Sequence, residues 1–278
     1  MDSEAFAQWL AVREPTDAAA RSRELTRSIA AIVRSRDPVR AVDLATGTGS
    51  NIRYLIPHLG PRQDWLAVDH DPALLERLAV RTSARGLPAG CRIETRRMDL
   101  GILDAGLFKD RHLVTASALL DLVSEAWLRS LAGHCRAAGA VALFTLTYNA
   151  RTACEPAEPE DSLVLDLFNR HQRAASGLGG NAAGLAAGPD AAAIAARCFT
   201  DAGYRVERVP SDWNLGTAES ALQRPLIDGW AEAATEIAPD QASTIDSWRL
   251  RRLGHVDTRR SRLVVGHDDV AALRPEVG

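Results

Sequence analysis

Glycine and acidic residues stand at the end of apolar runs in this sequence, in a pattern typical of a binding site for a small polar molecule. The run 41–43 ends in Asp43, and the chain then passes through Gly47 and Gly49 into a helical pattern that begins at Ser50. Glycine lets the backbone turn sharply or lie against a ligand, and the first N–H groups of a helix lack backbone partners. The stretch therefore predicts a strand, a tight turn and a helix start that together hold a ligand.

The residues around this turn narrow the class of ligand. A dinucleotide-binding G-x-G-x-x-G motif would need glycine at Ile52, and the chain contains no G-x-x-x-x-G-K-[ST] phosphate loop. Twenty residues past Gly49, the apolar run 65–68 ends in Asp69, where an acidic side chain accepts hydrogen bonds from a ribose diol. A nucleoside without a diphosphate fits these residues best.

Three segments of the chain carry a family resemblance. The sequence reads DLATGTG over 43–49, VDHDP over 68–72 and RMDL over 97–100. These segments resemble motifs I, II and III of the class I, Rossmann-like, S-adenosylmethionine-dependent methyltransferases, and the resemblance covers about residues 38 to 148. Ala45 departs from the pattern, since that family usually has a glycine there. The resemblance implies an α/β fold with a doubly wound, seven-stranded, mostly parallel sheet in the order 3-2-1-4-5-7-6 and a helical cap.

The resemblance also implies a cofactor, S-adenosyl-L-methionine, with S-adenosyl-L-homocysteine as its product. Asp43 would face the amino end of the cofactor, and Asp69 would bind its ribose. Asp99 would accept from the adenine amine, with Met98 or Leu100 against the ring. Two alternatives stay open: Asp43 capping local backbone N–H groups, and Asp99 as a turn residue without a ligand. The cofactor-binding residues predicted in this way are Arg21, Asp43, Ala45, Thr46, Gly47, Gly49, Asn51, Asp69, His70, Met98, Asp99, Leu100 and Ser117.

Catalytic and substrate-binding residues are expected after the fourth and fifth strands. Asp121 follows the predicted strand 112–118 near the reacting methyl group, and it is the first candidate for a substrate contact or general base. The alternative is an acid that stabilises a helix N-terminus. His171 is the second catalytic candidate because imidazole titrates near neutral pH, and a solvated helix end is the alternative for its segment. The predicted substrate-binding residues are Tyr148, Asn169, Gln172, Arg173 and Trp213, and no metal ligands are predicted.

Apolar periodicity predicts the elements that position these residues. Helical patterns cover residues 4–34, with an interruption at 15–17, and two further helices are expected between 219 and 255. The strands after the first two are expected at 92–98, 112–118, 141–148, 204–210 and 263–266.

The resemblance divides the chain into a leading segment and a core. Residues 1–37 would lie across the cofactor, where Arg13 or Arg21 pairs with its carboxylate. A solvated helix face is the alternative for either arginine. Residues 38–278 would form the methyltransferase core, with lid or cap insertions at about 149–188 and 216–258.

Composition and charge bound the remaining classes of function. The chain has 278 residues and a formal net charge of −3, which gives no global attraction to nucleic acid or to an anionic membrane. No leader opens the sequence, and no apolar run reaches the roughly 18 residues of a membrane span. The four cysteines are widely spaced and typical of reduced thiols. We therefore expect a cytoplasmic protein, monomeric or homodimeric, without nucleic-acid or membrane partners.

These observations predict methyl transfer from S-adenosylmethionine to an O, N or S nucleophile of a small-molecule metabolite. The Asn-Pro-Pro-Tyr type motif of amino-methylating nucleic-acid enzymes is absent after the fourth strand, where residues 117–121 read SALLD. Three alternatives stay open. They are an enzyme that uses the cofactor without transferring methyl, a regulatory protein that binds the cofactor without turnover, and a nicotinamide oxidoreductase. Ile52 disfavours the last of these, because a dinucleotide site would need glycine at that position.

Overall fold

A mixed sheet forms the centre of the computed structural model, which describes residues 2–84, 86–174, 177–178 and 184–274. Its strands are β1 Val39–Leu44, β2 Gln63–Asp69, β3 Cys91–Arg97, β4 Leu113–Ser117, β5 Val141–Glu155, β6 Arg205–Pro210, β7 Trp213–Leu215 and β8 Arg262–Leu273. The first five strands are parallel, and β8 runs antiparallel to both β5 and β6. The order β3-β2-β1-β4-β5-β8-β6 confirms the predicted sheet. The short strand β7, which pairs with β8, was not predicted.

Helices cover both faces of this sheet. They are α1 Ser3–Ala20, α2 Arg23–Val33, α3 Ser50–Leu55, α4 Pro72–Ala84, α5 Glu125–Ala138, α6 Asp161–Ala174, α7 Ala191–Asp201, α8 Ser220–Ile237 and α9 Ala242–Asp257. Ala41 of β1 packs in one apolar cluster with α2 and α3, whereas its neighbour Val42 packs in another with α5 and α7. Because both faces of β1 are buried, its sequence is almost continuously apolar. The sheet is therefore doubly wound.

The first helix differs from its prediction. The interruption expected at 15–17 is wrong, because Pro15 lies inside α1. Proline removes one backbone donor from a helix, but the rest of the hydrogen-bond ladder carries α1 past it. The chain breaks later, at Arg21, whose backbone is extended, and Ser22 then caps α2 by accepting from the N–H of Leu25 at 3.2 Å.

The strand pair β5 and β8 is longer than predicted. The pair extends to Glu155 in β5, beyond the expected end at 148, and its register shifts twice along the way. The buried carboxylate of Asp269 in β8 accepts from the N–H of Leu146 at 2.9 Å, beside the first shift, and from the N–H of Ser22 at 2.8 Å. An acidic residue therefore fills an irregular position that an alternating apolar pattern does not indicate.

The outer halves of β5 and β8 support a separate apolar cluster with α6, α8 and α9. The two helices expected between 219 and 255 are confirmed as α8 and α9. Arg252 of α9 is fully buried, and its Nε donates to the Asp161 carboxylate of α6 at 2.9 Å. Trp248 donates to the same carboxylate at 2.7 Å. Across the described ranges, we find no helix with the length and apolar character that a bilayer crossing requires.

Candidate active site

The turn after β1 holds a buried carboxylate. Asp43 is 1% exposed and accepts hydrogen bonds from Thr46 Oγ1 and Asn51 Nδ2, both at 2.6 Å. Burial raises the pKa of Asp43 to about 6, and these two hydrogen bonds oppose the rise. Asn51 also donates to Thr115 Oγ1 of β4 at 3.1 Å, which fixes its orientation. Side chains from the turn, α3 and β4 thus hold a carboxylate at the carboxyl ends of the strands, where ligands bind in open α/β sheets.

The glycine turn is locked to the end of β2. The Gly47 N–H donates to Asp69 Oδ2 at 2.8 Å, and Asp69 is 4% exposed. A Cβ on Gly49, whose φ is +80°, would lie 2.6 Å from Leu78 Cγ, so glycine is required at this position. Ala45 also has a left-handed backbone, with φ of +50°. This conformation favours glycine, so alanine at position 45 costs conformational free energy.

The predicted adenine-side residues follow β3 and β2. Asp99 is exposed and accepts from the backbone N–H two residues later at 2.8 Å. This hydrogen bond is the one expected if Asp99 is a turn residue without a ligand. The Met98 N–H donates to the carbonyl of Asp69 at 2.9 Å and so joins the two strand ends. Leu100 is buried in the core. His70 is exposed, with Nδ1 at 3.2 Å from Asp69 Oδ1.

A buried arginine lies opposite this turn, at the junction of α1 and α2. Arg21 is 5% exposed, and its guanidinium carbon lies 3.9 Å from the centroid of the Tyr54 ring. Its Nε and Nη2 atoms are buried and have no hydrogen-bond partner in the described ranges. Burial lowers the pKa of Arg21, and the negative charges of Asp269 and Asp43 oppose the change. Two nitrogen atoms of this guanidinium thus lack a hydrogen-bond acceptor, which is unfavourable for a buried polar group.

Arg21 lines a cavity of about 230 Å³ between α1 and the carboxyl ends of the strands. Asn51 and Tyr54 of α3, Ser117 of β4 and Asp17 of α1 also line it. The structure therefore brings the predicted residues Arg21, Asn51 and Ser117 together around one space. A larger cavity of about 960 Å³ lies at the opposite ends of the strands and contains none of the predicted site residues.

Ion pairs fix α1 above the turn. The carboxylate of Glu14 lies 2.8 Å from Arg53 Nη2 of α3 and 2.9 Å from Arg81 Nη2 of α4. Leu10 packs on the turn so closely that a Cβ at Gly47 would lie 3.0 Å from Leu10 Cδ1. These contacts come from the leading segment, which the resemblance assigns to the cofactor. Its function over a cofactor stays a prediction.

Asp121, the first catalytic candidate, lies near Tyr148. Asp121 is partly buried, and its Oδ1 atom is buried without a hydrogen-bond partner among the described residues. Burial raises the pKa of Asp121 to about 6. Burial also raises the pKa of Tyr148 to about 12, and the nearby charge of Asp121 adds to that effect. The hydroxyl of Tyr148 donates to Asn169 Oδ1 at 2.9 Å, so three predicted residues lie in one region.

Aromatic side chains from distant parts of the chain meet beside Tyr148. The Trp213 ring lies 4.9 Å from the ring of His267 and 6.5 Å from that of Trp9, between centroids, and His267 lies 6.3 Å from Tyr148. Burial, helped by the charge of Arg13, lowers the pKa of His267 to about 3, so this imidazole is neutral. Sequence analysis missed Trp9 and His267. The polar run 267–269 inside an otherwise apolar strand was the available signal for His267.

The remaining predicted residues lie at the end of α6 and contact other elements. His171 Nε2 lies 3.0 Å from Glu236 Oε2 of α8, and Gln172 lies beside it in a groove between the two helices. Arg173 pairs with Asp190 at 3.3 Å. His171 thus contacts a different part of the described chain from Asp121, and its catalytic function stays a prediction.

Comparisons with known proteins give structural matches with low sequence identity and low TM-scores. No sequence model of a protein family matches the chain, and no curated protein matches it. The YcgJ protein of Bacillus subtilis is 13% identical, with a TM-score of 0.49, and the match covers 91% of this chain and 99% of that one. A cyclopropane synthase of Mycobacterium tuberculosis is 9% identical, with a TM-score of 0.46 and coverage of 90% and 82%. A Geobacter sulfurreducens protein, described as an S-adenosylmethionine-dependent methyltransferase in complex with S-adenosylhomocysteine, is 15% identical, with a TM-score of 0.42 and coverage of 94% and 98%. At these values, the similarities carry no conclusion about activity.

Proposed function

We propose that this chain transfers a methyl group from S-adenosyl-L-methionine to an O, N or S nucleophile of a small molecule. The observation that carries the proposal is a pair of opposite charges: Arg21 lines the cavity between α1 and the sheet, and Asp43 accepts from Asn51, which also lines that cavity. Arg21 offers two buried donors without partners, and Asp43 offers a buried carboxylate close enough to affect the pKa of Arg21. An α-amino acid has a carboxylate and an ammonium that match these two groups. The methionine part of the cofactor has both.

The neighbouring strand end supports the nucleoside part of the proposal. Asp69 is fixed by the Gly47 N–H and lies at the carboxyl end of β2, next to the turn. In this position a carboxylate accepts hydrogen bonds from a ribose diol. Ile52, where a dinucleotide site would require glycine, is fully buried in the core, which disfavours a nicotinamide cofactor. We assign the adenine to the space beside Met98, Asp99 and Leu100.

The chain's own residues would orient the acceptor and remove its proton. The cofactor, when bound, would supply an electrophilic methyl group, and its sulfonium sulfur would leave as a neutral thioether. Methyl transfer requires the nucleophile to be held in line at about 3 Å and water to be excluded. Asp121, whose pKa of about 6 leaves it ionised at neutral pH, would accept a proton from the nucleophile. Tyr148, Asn169 and Trp213 would position the acceptor.

Labelled methyl transfer tests this proposal. The purified protein would be incubated with methyl-labelled S-adenosylmethionine and an extract of small metabolites. We expect the label in a new small molecule with the wild-type protein and with Asp240→Ala, an exposed control in the turn between α8 and α9. Asp69→Ala should transfer much less label than the wild-type protein at a cofactor concentration below saturation. Tight binding of the cofactor without transfer to any acceptor would indicate a regulatory protein and would contradict the proposal.

A further inference from the structure

A second cavity lies outside the cofactor region, in the groove between α1, α6 and α8. Its volume is about 360 Å³. Ligand pockets in proteins commonly measure about 300–1,000 Å³, so the groove is large enough for a metabolite. Three aromatic side chains line it: Trp9 of α1, Phe168 of α6 and Trp230 of α8. We call this cavity the aromatic groove.

Side-chain contacts join the wall of the aromatic groove to Tyr148 of the proposed active site. The Phe168 ring lies 6.3 Å from that of Trp230 and 5.5 Å from that of Tyr148, between centroids. On the other wall, Trp9 contacts Trp213, whose ring also packs against that of His267. Two lines of aromatic contacts therefore lead from the groove to Tyr148, close to Asp121.

The charge of the aromatic groove is negative. The carboxylates of Glu232 and Glu236 belong to its lining, which includes no arginine or lysine among the described residues. Glu236 pairs with His171, whereas Glu232 has no ion-pair partner in the described ranges. Aromatic ring faces and carboxylates both attract a cation and disfavour an anion. A ligand of this groove therefore needs an apolar body and a positive charge.

The backbone of α8 leaves room for such a ligand. Gly229 lies in the middle of this helix and lines the groove, and a Cβ built on it would meet no atom within 4 Å. Gly133 in α5 and Gly254 in α9 are equally open, so the feature that distinguishes Gly229 is its place in the lining of the groove. A side chain at this position would occupy the open space beside Trp230 and Leu226.

We propose that the aromatic groove binds the methyl acceptor and that this acceptor is an organic amine with an apolar body. The inference rests on the proposed methyl-transfer function and names its substrate class. The ammonium lies near Glu232, and the apolar body packs on Phe168 and Trp230. The reacting end of the molecule then extends past Tyr148 towards Asp121.

Calorimetry with three indoles of similar size and different charge tests the proposal. The probes are tryptamine, the neutral alcohol tryptophol and the anion indole-3-acetate, each titrated in the presence of S-adenosylhomocysteine. We expect tryptamine to bind at least about tenfold more tightly than tryptophol, and indole-3-acetate to bind most weakly. Equal affinity for the three probes, or no binding of any, would overturn the inference.

Matched variants locate the binding. Gly229→Leu fills the groove and should weaken tryptamine binding at least about tenfold. Gly133→Leu is the control, because Gly133 lies inside α5 and also has no atom within 4 Å of its Cβ position. Glu232→Gln should reduce the preference for tryptamine over tryptophol while leaving tryptophol binding unchanged. An unchanged preference in Glu232→Gln would contradict the charge argument even if Gly229→Leu fails to fold.

The same titrations separate the two proposals. S-adenosylhomocysteine is expected to bind the wild-type protein, Gly229→Leu and Gly133→Leu with equal affinity, because the aromatic groove lies outside the cofactor cavity. If S-adenosylhomocysteine binds and tryptamine does not, the substrate class is wrong, whereas the proposed methyl transfer is not contradicted and is decided by the labelling experiment. If tryptamine binds but the protein has no affinity for S-adenosylhomocysteine, the aromatic groove is an amine-binding site and the proposed methyl transfer is wrong.

Discussion

The sharpest prediction concerns Arg21→Met, which keeps an apolar chain against Tyr54 but removes the guanidinium. Nε and Nη2 of Arg21 are both buried without partners, so a bound carboxylate gains two charge-assisted hydrogen bonds. Such bonds contribute about 1.5–3 kcal/mol each, which sets the expected loss at about 3 kcal/mol or more and makes the variant roughly 100-fold weaker for a carboxylate ligand. The loss should fall on the amino-acid part of the ligand alone.

A pair of related ligands isolates this effect. S-adenosylhomocysteine and 5′-methylthioadenosine share the nucleoside and the sulfur, but only the first has a carboxylate. Calorimetry should show that Arg21→Met loses affinity for S-adenosylhomocysteine and retains wild-type affinity for methylthioadenosine. Arg13→Met is the control, because Arg13 already pairs with Asp17 at 2.9 Å. Thermal unfolding of each free variant checks the fold.

Two results would refute this assignment of Arg21. If the variant retains S-adenosylhomocysteine affinity within about threefold of wild type, the guanidinium does not bind the carboxylate. If Arg21→Met loses both ligands equally while it stays folded, Arg21 shapes the whole cavity and recognises no particular group. A loss in Arg13→Met alone would favour the other arginine that the sequence offered.

Four further predictions follow from the same site. Asp69→Ala should weaken both ligands by about 1.5–3 kcal/mol for each hydrogen bond lost, and unchanged affinity in calorimetry would contradict the ribose assignment. The folded-state pKa of Asp43 is about 6, so its carboxylate becomes protonated as the pH falls. The affinity for S-adenosylhomocysteine should therefore fall about tenfold between pH 7.5 and pH 5, whereas Asp43→Asn should show no such change. Asp121→Asn should lower kcat at saturating cofactor and leave cofactor affinity unchanged. If the variant keeps the wild-type kcat and the wild-type pH profile, Asp121 is not a general base and only stabilises a helix end. In denaturant unfolding, Gly49→Ala should destabilise the protein by about 1–3 kcal/mol because the added Cβ would contact Leu78. The control Gly133→Ala should stabilise the protein by up to about 1 kcal/mol. Equal effects of the two substitutions would mean that the turn accommodates a side chain.

The positions of the residues around the glycine turn could be predicted from the sequence because their geometry is local. Gly47 and Gly49 specify a left-handed turn, and Asp43 and Asp69 end adjacent parallel strands whose carboxyl ends must lie side by side. The strand order was implied by the family resemblance and does not follow from these local residues. No long-range contact is needed to place these residues.

The acceptor half depends on contacts between residues from opposite ends of the chain. Trp9 and Trp213 meet only because α1 folds back over β7, and His267 reaches them from β8. No local pattern indicates that meeting. The aromatic groove was missed for the same reason. In the sequence, Trp230 is indistinguishable from a core residue of an amphipathic helix, and Gly229 indicates only a less stable position within that helix.

Local rules also misplaced some boundaries. Proline at position 15 predicted a break, but α1 continues through it and ends at Arg21, where the extended backbone turns the guanidinium into the cavity. The end of β5 was set at 148 because polar residues follow. The strand continues because its partner β8 supplies backbone hydrogen bonds up to Glu155, a tertiary contact that apolar alternation does not encode.

The central claim is that this chain binds a sulfonium nucleoside through Arg21, Asp43 and Asp69. Titration calorimetry of the wild-type protein with S-adenosylmethionine, S-adenosylhomocysteine and NAD in parallel tests it most directly. We predict micromolar binding of the two sulfur nucleosides and no binding of NAD. Binding of NAD alone would contradict the account.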